Sequence, residues 1–467
     1  MITLRFGIQV DMRGNGSFDP PLDSYLGNAT SVRASSSSRL SLRTDRGTVV
    51  TVFGKFDLSS EEALLDSTFT GLEIRETSGA LVLGVTGLAP ISFNDVEQRP
   101  DALERATQRS AAGGFSITTS TFDDVLVGLA GADRLVAGGG DDVLRGGAGN
   151  DRLDAGAGDD FLDGGRGLDR LIGGKGDDAF IVDARGDVTL EASRGGIDTV
   201  RASLDWTLAA QIEKLVLSGA AALAGTGNAL ANTLRGNAGA NVLSGLGGHD
   251  VLDGAAGGDR LIGGTGNDTY VVDSSADRVV ERAGEGTDTV RTARSYTLPS
   301  QVENLSLLGG AALSGAGNNL DNSLRGNSGS NRLSGNGGTD RLLGAAGNDI
   351  LAGGAGQDML TGGADADRFV FAHTGANADD ITDFLSGADS LWLDPTVFSA
   401  LTAGNLDATQ FRDSSILADG NDFLVYDQAS GVLSYDANGD GITLVEIVDL
   451  GTSTVLSVTD IHIAIPV

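Results

Sequence analysis

Between residues 124 and 180 the apolar positions follow neither a helical period nor simple alternation. Leu126, Leu135, Leu144, Leu153, Leu162, Leu171 and Phe180 recur on a ruler of nine, at the centre of triplets such as Arg152-Leu-Asp154. A triplet of this kind is a short strand whose central side chain turns to one face, and it is too short for a helix. The stretches between triplets are rich in glycine and end on aspartate. Gly131, Gly140, Gly149, Gly158, Gly167 and Gly176 each stand two places before one. Glycine allows the positive φ of a tight turn, and aspartate caps turns. Two nonapeptides then make one coil, with a turn on each edge and two thin parallel sheets. Coils stack about 4.8 Å apart. The expected fold class is all-β, a parallel β-solenoid with small β-rich domains at both ends.

The aspartates keep the same ruler: Asp124, Asp133, Asp142, Asp151, Asp160, Asp169 and Asp178. It returns at Asn232, Asn241, Asp250, Asp259 and Asp268, and again at Asn322, Asn331, Asp340, Asp349, Asp358 and Asp367. A longer unit, ten nonapeptides in length, encloses it. Ala179-Phe-Ile-Val-Asp183 matches Thr269-Tyr-Val-Val-Asp273, Asp198-Thr-Val-Arg201 matches Asp288-Thr-Val-Arg291, and Gln211-Ile-Glu213 matches Gln301-Val-Glu303. The segments between arrays, 178 to 232 and 268 to 322, are each six nonapeptides long and are expected to continue the coil. Arrays therefore fall near 121–183, 225–273 and 315–372, within a repeat region 121–372. One step after the aspartates, Arg134, Arg152 and Arg170 share one sheet, and Val125, Val143, Phe161 and Ala179 the other. The apolar row is expected to be covered by a terminal domain or a partner.

Residues 1–120 contain strand-like runs at Gly47–Phe53, Gly71–Arg75 and Ala80–Val85, with a helix expected over Arg99–Ala112, and form a small β-rich domain of open role. Residues 373–467 lose the ruler but keep alternating runs. Asp422-Phe-Leu-Val-Tyr-Asp427 and Gly431-Val-Leu-Ser-Tyr-Asp436 predict a hairpin, and Asp436-Ala-Asn-Gly-Asp-Gly441 reads as a turn rather than a calcium loop. The end, Asp460-Ile-His-Ile-Ala-Ile-Pro-Val467, reads equally as a final strand or as an uncleaved export signal.

Composition narrows the chemistry. Of 467 residues, 71 are glycine and only 7 proline, and 64 acids against 32 bases give a net charge of −32. Such a chain attracts cations and avoids nucleic acid and anionic membranes. Cysteine is absent, so disulfides and thiolate metal sites are excluded. No apolar run approaches the roughly 20 residues of a membrane span, and no cleavable signal is expected at Met1–Asp11. His249, His373 and His462 are the only histidines, and they form no H-E-x-x-H. There is no G-x-S-x-G elbow and no G-x-x-x-x-G-K-[ST] loop. No enzyme is expected.

The placement of the acids points to a cation. Successive coils stack Asp124, Asp142, Asp160 and Asp178 on one edge and Asp133, Asp151 and Asp169 on the other. Such rows repel unless an ion lies between them. A hard cation taking six to eight oxygens suits glycine carbonyls and carboxylates, and calcium fits better than magnesium with its strict octahedron. The asparagines at 232, 241, 322 and 331 support turns without needing an ion.

The motif G-G-x-G-x-D-x-U-x, seen whole in Gly146-Gly-Ala-Gly-Asn-Asp-Arg-Leu-Asp154, resembles the repeats-in-toxin (RTX) family of hemolysin-type calcium-binding repeats. The region beyond 372 is similar to the C-terminal caps of that family, including that of serralysin-type proteases. The resemblance implies a right-handed parallel β-roll, several Ca2+ ions as cofactor, and export by type I secretion machinery. It also implies ligation by glycine carbonyls and the motif aspartate. Carried onto this chain, the ligands of the first array are Asp124; Gly131 and Asp133; Gly138, Gly140 and Asp142; Gly147, Gly149 and Asp151; Gly156, Gly158 and Asp160; Gly165, Gly167 and Asp169; Gly174, Gly176 and Asp178. Those of the second are Gly248 and Asp250; Gly257 and Asp259; Gly264, Gly266 and Asp268. Those of the third are Gly338 and Asp340; Gly347 and Asp349; Gly354, Gly356 and Asp358; and Asp367. The pattern departs at Leu129, Leu230, Leu320 and Asp365, which replace glycines. The function expected is a secreted, extracellular or cell-surface bacterial calcium-binding protein, without catalysis, in a matrix, surface or adhesion role that includes glycans as partners. The alternative is an accessory or carbohydrate-active protein whose activity resides in residues 1–120.

Overall fold

The structure is a computed structural model. It describes residues 29–36, 39–44, 49–55, 68–75, 81–92, 114, 116–119 and 123–464, apart from 374–377, 415–419, 441 and 453. The helix expected over Arg99–Ala112 lies outside the described residues. The chain forms two compact units, Met1–Gly219 with Leu223–Leu230, and Ala220–Ala222 with Ala231–Val467.

In the first unit two stacks of parallel strands alternate along the chain. One holds Val125–Ala130, Val143–Ala148, Phe161–Arg166 and Ala179–Val182, and the other Arg134–Val136, Arg152–Ala157, Arg170–Lys175 and Val188–Leu190. The register is the coil of two nonapeptides: Leu144 faces Leu126 and Leu162, and Leu153 faces Leu135 and Leu171. These leucines, with Phe180, are buried and form the core between the sheets. A leucine buried this fully stabilises by roughly 1.5–3 kcal/mol, so identical side chains one coil apart form a continuous apolar column. Several strands run beyond the expected triplet, because pairing resumes in the turn, as at Gly156 with Gly174.

Ahead of the roll lies an antiparallel meander of Ala29–Ser36, Arg39–Thr44, Val49–Lys55, Thr68–Arg75 and Leu81–Ser92. Ser116–Thr119 pairs antiparallel with Leu81–Ser92 and parallel with Arg134–Val136. It hands the meander's hydrogen bonds to the edge of one roll sheet, an edge that would otherwise be open.

In the second unit the same stacking runs from Thr233–Arg235 through Asp379–Ile381. The segment between the second and third arrays continues the coil, as its length of six nonapeptides implies. It does so unevenly, however. Thr269 pairs with Thr289, Thr289 with Asn304, and Asn304 with Ser323, so one short coil lies between two long ones. The expected hairpin is present, Leu424–Asp427 against Val432–Asp436. Ile461–Ile463 is a strand paired with Ser390–Leu393, and Ile461 and Ile463 are buried.

The covered apolar row fails at its first member. Val125 is 67% exposed, and Val143, Phe161 and Ala179 are half-buried; in the arginine row Arg152 is half-buried, and Arg134 and Arg170 are exposed. Past Val125 the apolar row is thus less exposed than the arginine row, though it is not buried. Among the described residues no helix is long and apolar enough to cross a membrane.

Candidate metal centre

The motif aspartates from Asp142 onward use their two oxygens differently. One accepts a hydrogen bond along the stack: Asp133 N–H donates to Asp151 Oδ1 at 2.7 Å, Asp142 N–H to Asp160 Oδ1 at 2.7 Å, and Asp151 N–H to Asp169 Oδ1 at 2.7 Å. The same rung joins Asp124 to Asp142, Asp160 to Asp178, Asp250 to Asp268, Asp340 to Asp358 and Asp349 to Asp367. The other oxygen, Oδ2, is buried without a hydrogen-bond partner in Asp142, Asp151, Asp160, Asp169, Asp178, Asp250, Asp259, Asp268, Asp340, Asp349, Asp358 and Asp367. A buried carboxylate oxygen with no donor is costly, and a whole series of them in one register asks for a common partner.

What surrounds Oδ2 is oxygen. A Cβ built on Gly146 would overlap Asp151 Oδ2 and lie 2.6 Å from the Gly164 carbonyl oxygen of the next coil. Gly344 stands likewise between Asp349 Oδ2 and the Gly362 oxygen. The motif's first glycine thus leaves a cradle where carboxylate and carbonyl oxygens converge, whereas the sequence pattern assigns only the second and fourth positions as ligands. The glycines at those two positions have positive φ, for example +109° at Gly147 and +141° at Gly149. Their carbonyls point along the stack, where a Cβ on Gly165 or Gly167 would strike the oxygen of Gly147 or Gly149. Where the second glycine is replaced, Leu246, Ala255, Asn336 and Ala345 are held at φ of +78°, +56°, +77° and +89°. Asp365, in place of the fourth glycine before Asp367, has φ of +80°.

Burial pushes the carboxyls well above the ordinary 3.8, against the lowering effect of the backbone N–H. Asp142, Asp151, Asp169 and Asp349 rise to about 6, and Asp160, Asp250, Asp340 and Asp367 to about 7. Desolvation is the main cause throughout, and a neighbouring carboxylate adds to it. The asparagines behave otherwise. Asn331 N–H joins the ladder at Asp349 Oδ1, yet its own Oδ1 accepts from Asn327 N–H at 2.8 Å and its Nδ2 donates to Asn327 Oδ1 at 3.0 Å. Asn241 repeats this with Asn237.

The ruler of nine misses the acids just beyond the arrays. Asp178 gathers with Glu191 and Asp198, and Asp268 with Glu281 and Asp288; in each group three ligand atoms lie within 4.8 Å of one another. Asp358, His373 and Asp379 form a third such group. None of the added residues falls on the ruler. The signal that could have found them is the longer repeat, which copies both Glu191 and Asp198 as Glu281 and Asp288.

A parallel β-roll whose glycine turns bring unpartnered carboxylate oxygens beside backbone carbonyls defines a class, the cation-binding solenoids. Within it, the roll carries RTX calcium-binding nonapeptide repeats: the model of that repeat matches residues 118–153, 145–180, 226–261, 247–279, 316–351 and 343–371. Repeats of this family bind calcium. Over 57 residues the chain is also 46% identical to the endo-1,3-1,4-beta-glycanase ExsH of Rhizobium meliloti (strain 1021). That stretch is 12% of this chain and 12% of the glycanase, so the likeness spans a small part of either protein.

Proposed function

We propose that this is a secreted, non-enzymatic calcium-binding protein whose roll folds when calcium reaches it outside the cell. The observation that carries the reading is the row of buried, partnerless Oδ2 atoms facing the glycine carbonyls of the next coil. Calcium supplies the charge these oxygens lack. The proposed ligands are the motif aspartates from Asp133 to Asp178, from Asp250 to Asp268 and from Asp340 to Asp367, with carbonyls of their glycines. Binding energy then becomes folding energy. At the low calcium of a cytosol the acidic chain stays expanded and exportable, which suits type I secretion; a matrix, surface or adhesion role follows from an inert, stiff roll. Calorimetry of two variants tests the site assignment. Asp151→Ala removes a charged oxygen pair amid intact neighbours and should lower the amount of calcium bound. Asn232→Ala should leave it near the parent's; equal losses would overturn the assignment.

A second reading places carbohydrate binding or cleavage in residues 1–120; its only prompt is the name of a glycanase that is similar to this chain over 57 residues. A glycan array and a panel of β-glucan substrates, run on the full chain in calcium, separate the two. Turnover of any of them would replace the non-enzymatic reading.

A further inference from the structure

The first two arrays both end where the chain leaves the nonapeptide, and each end gathers more acid than the motif contains. In the first, Asp178 N–H donates to Asp198 Oδ1 at 2.9 Å, while Gly174 N–H donates to Glu191 Oε2 at 3.1 Å. Asp178 Oδ2, Asp198 Oδ2 and Glu191 Oε1 are left buried with no partner. In the second, Asp268 N–H donates to Asp288 Oδ1 at 2.7 Å, and Asp268 Oδ2 and both Glu281 oxygens are buried and partnerless. Asp178 and Asp268 are each only 1% exposed.

An independent group points into the second cluster. Tyr270 is fully buried, and its hydroxyl finds no hydrogen-bond partner. A Cβ on Gly263 would meet Tyr270 Oη, Asp268 Oδ2 and, at 2.6 Å, Glu281 Oε1, so all three oxygens converge on the space that glycine leaves open. In the first cluster the matching glycine, Gly173, faces Glu191 Oε1 and Asp178 Oδ2, and Phe180 stands where Tyr270 does.

We propose that Asp178, Glu191 and Asp198, and again Asp268, Glu281 and Asp288, each hold one further calcium ion at an array end, in sites completed by a glutamate from outside the nonapeptide. Oxygens sharing one calcium at 2.3–2.6 Å can stand at most about 5 Å apart, and each trio lies within 4.8 Å. All the donors are oxygen, which is the calcium preference. The third group differs: it is built on Asp358, one nonapeptide before the last aspartate of its array, with His373 beside Asp379, and imidazole is a poor match for calcium. Calcium is therefore assigned to the first two ends alone. Glutamate serves where aspartate would not, because the departing coil no longer brings a motif carboxylate into register, and the longer side chain reaches back to Gly173 or Gly263.

This proposal rests on the array reading, and the experiment keeps the two apart. Calcium bound to the full chain is counted by equilibrium dialysis for the parent, Glu191→Gln, Glu281→Gln and the double variant, with circular dichroism confirming the β signal of each. The singles should hold one ion fewer than the parent and the double two fewer, while array ions remain. Terbium in place of calcium gives a second readout independent of the glutamates. Tyrosine sensitises terbium only at close range, so Tyr270→Phe should lose sensitised emission and Phe180→Tyr should gain it. If a glutamine variant does not fold, Glu191→Asp or Glu281→Asp, which keeps the charge but shortens the reach, takes its place in the ion count. Unchanged ion counts in folded glutamine variants, or unchanged emission in both aromatic variants, overturn the array-end sites and leave the array reading standing. A parent that binds no calcium overturns both.

Discussion

Asp160 shows what the sixth motif position asks of a side chain. Its Oδ1 accepts the N–H of Asp142, and its Oδ2 is buried with no hydrogen-bond partner. Asparagine meets the first demand and removes the charge behind the second. Asp160→Asn should therefore act in opposite directions, making the calcium-free chain easier to fold while weakening calcium binding about tenfold or more. Urea titrations in chelator and in saturating calcium read both effects; a loss of stability in both media would contradict a charge held for a cation. A similar argument applies to the backbone. Ala345 occupies a glycine place at φ of +89°, where an L side chain is strained by roughly 1–2 kcal/mol. Glycine relieves that strain but frees the unfolded chain, so Ala345→Gly should gain on the order of 0.5–1 kcal/mol, seen as a higher urea midpoint in calcium.

At the scale of elements, the column of inward side chains in the first unit couples one coil to the next. Leu162 is buried between Leu144 and Phe180, so Leu162→Ala should cost about 2–5 kcal/mol through lost burial and the cavity left behind. Thermal unfolding in calcium measures it; a shift no larger than that of an exposed change such as Val125→Ala would argue against a continuous core. The coils were legible in the sequence because one residue type must recur wherever one geometry recurs. Leucine at 126, 144 and 162 marks the inward position, and aspartate marks the turn. What the ruler could not show lies where the geometry changes. The segment between the second and third arrays divides into one short coil flanked by two long ones, and irregular turns at Arg194, Gln211 and Gln301 take positive φ without glycine. The rung acceptors there change with it: Asp198 N–H donates to Glu213 Oε2, and Asp288 N–H to Glu303 Oε2. Glutamate spans the shorter coil, and a search for aspartates on the ruler of nine passes it by. The covered apolar row is met only in part, with Val125 exposed and the others half-buried; β-branched and aromatic residues suit a stacked strand whether or not anything covers it.

For the whole molecule, charge and proton uptake link folding to calcium. The chain carries a net charge of −32, and burial raises Asp160 to about 7 and Asp178 to about 8 from an ordinary 3.8. Without calcium, folding must take up protons. The stability these groups contribute is fully present below about pH 4 and is lost as pH rises through 6 to 8. In chelator, then, lowering the pH from 8 to 5 should raise the β signal, while in limiting calcium the same change should release the ion. A β signal in chelator that does not respond to this pH change would contradict carboxylates held for a cation. Dependence on calcium itself is tested most directly by far-ultraviolet circular dichroism of the full chain at pH 7.5, first in excess chelator and then titrated with calcium. Coil should convert to β cooperatively as calcium is added; an equal β signal in chelator and in calcium would contradict folding by calcium.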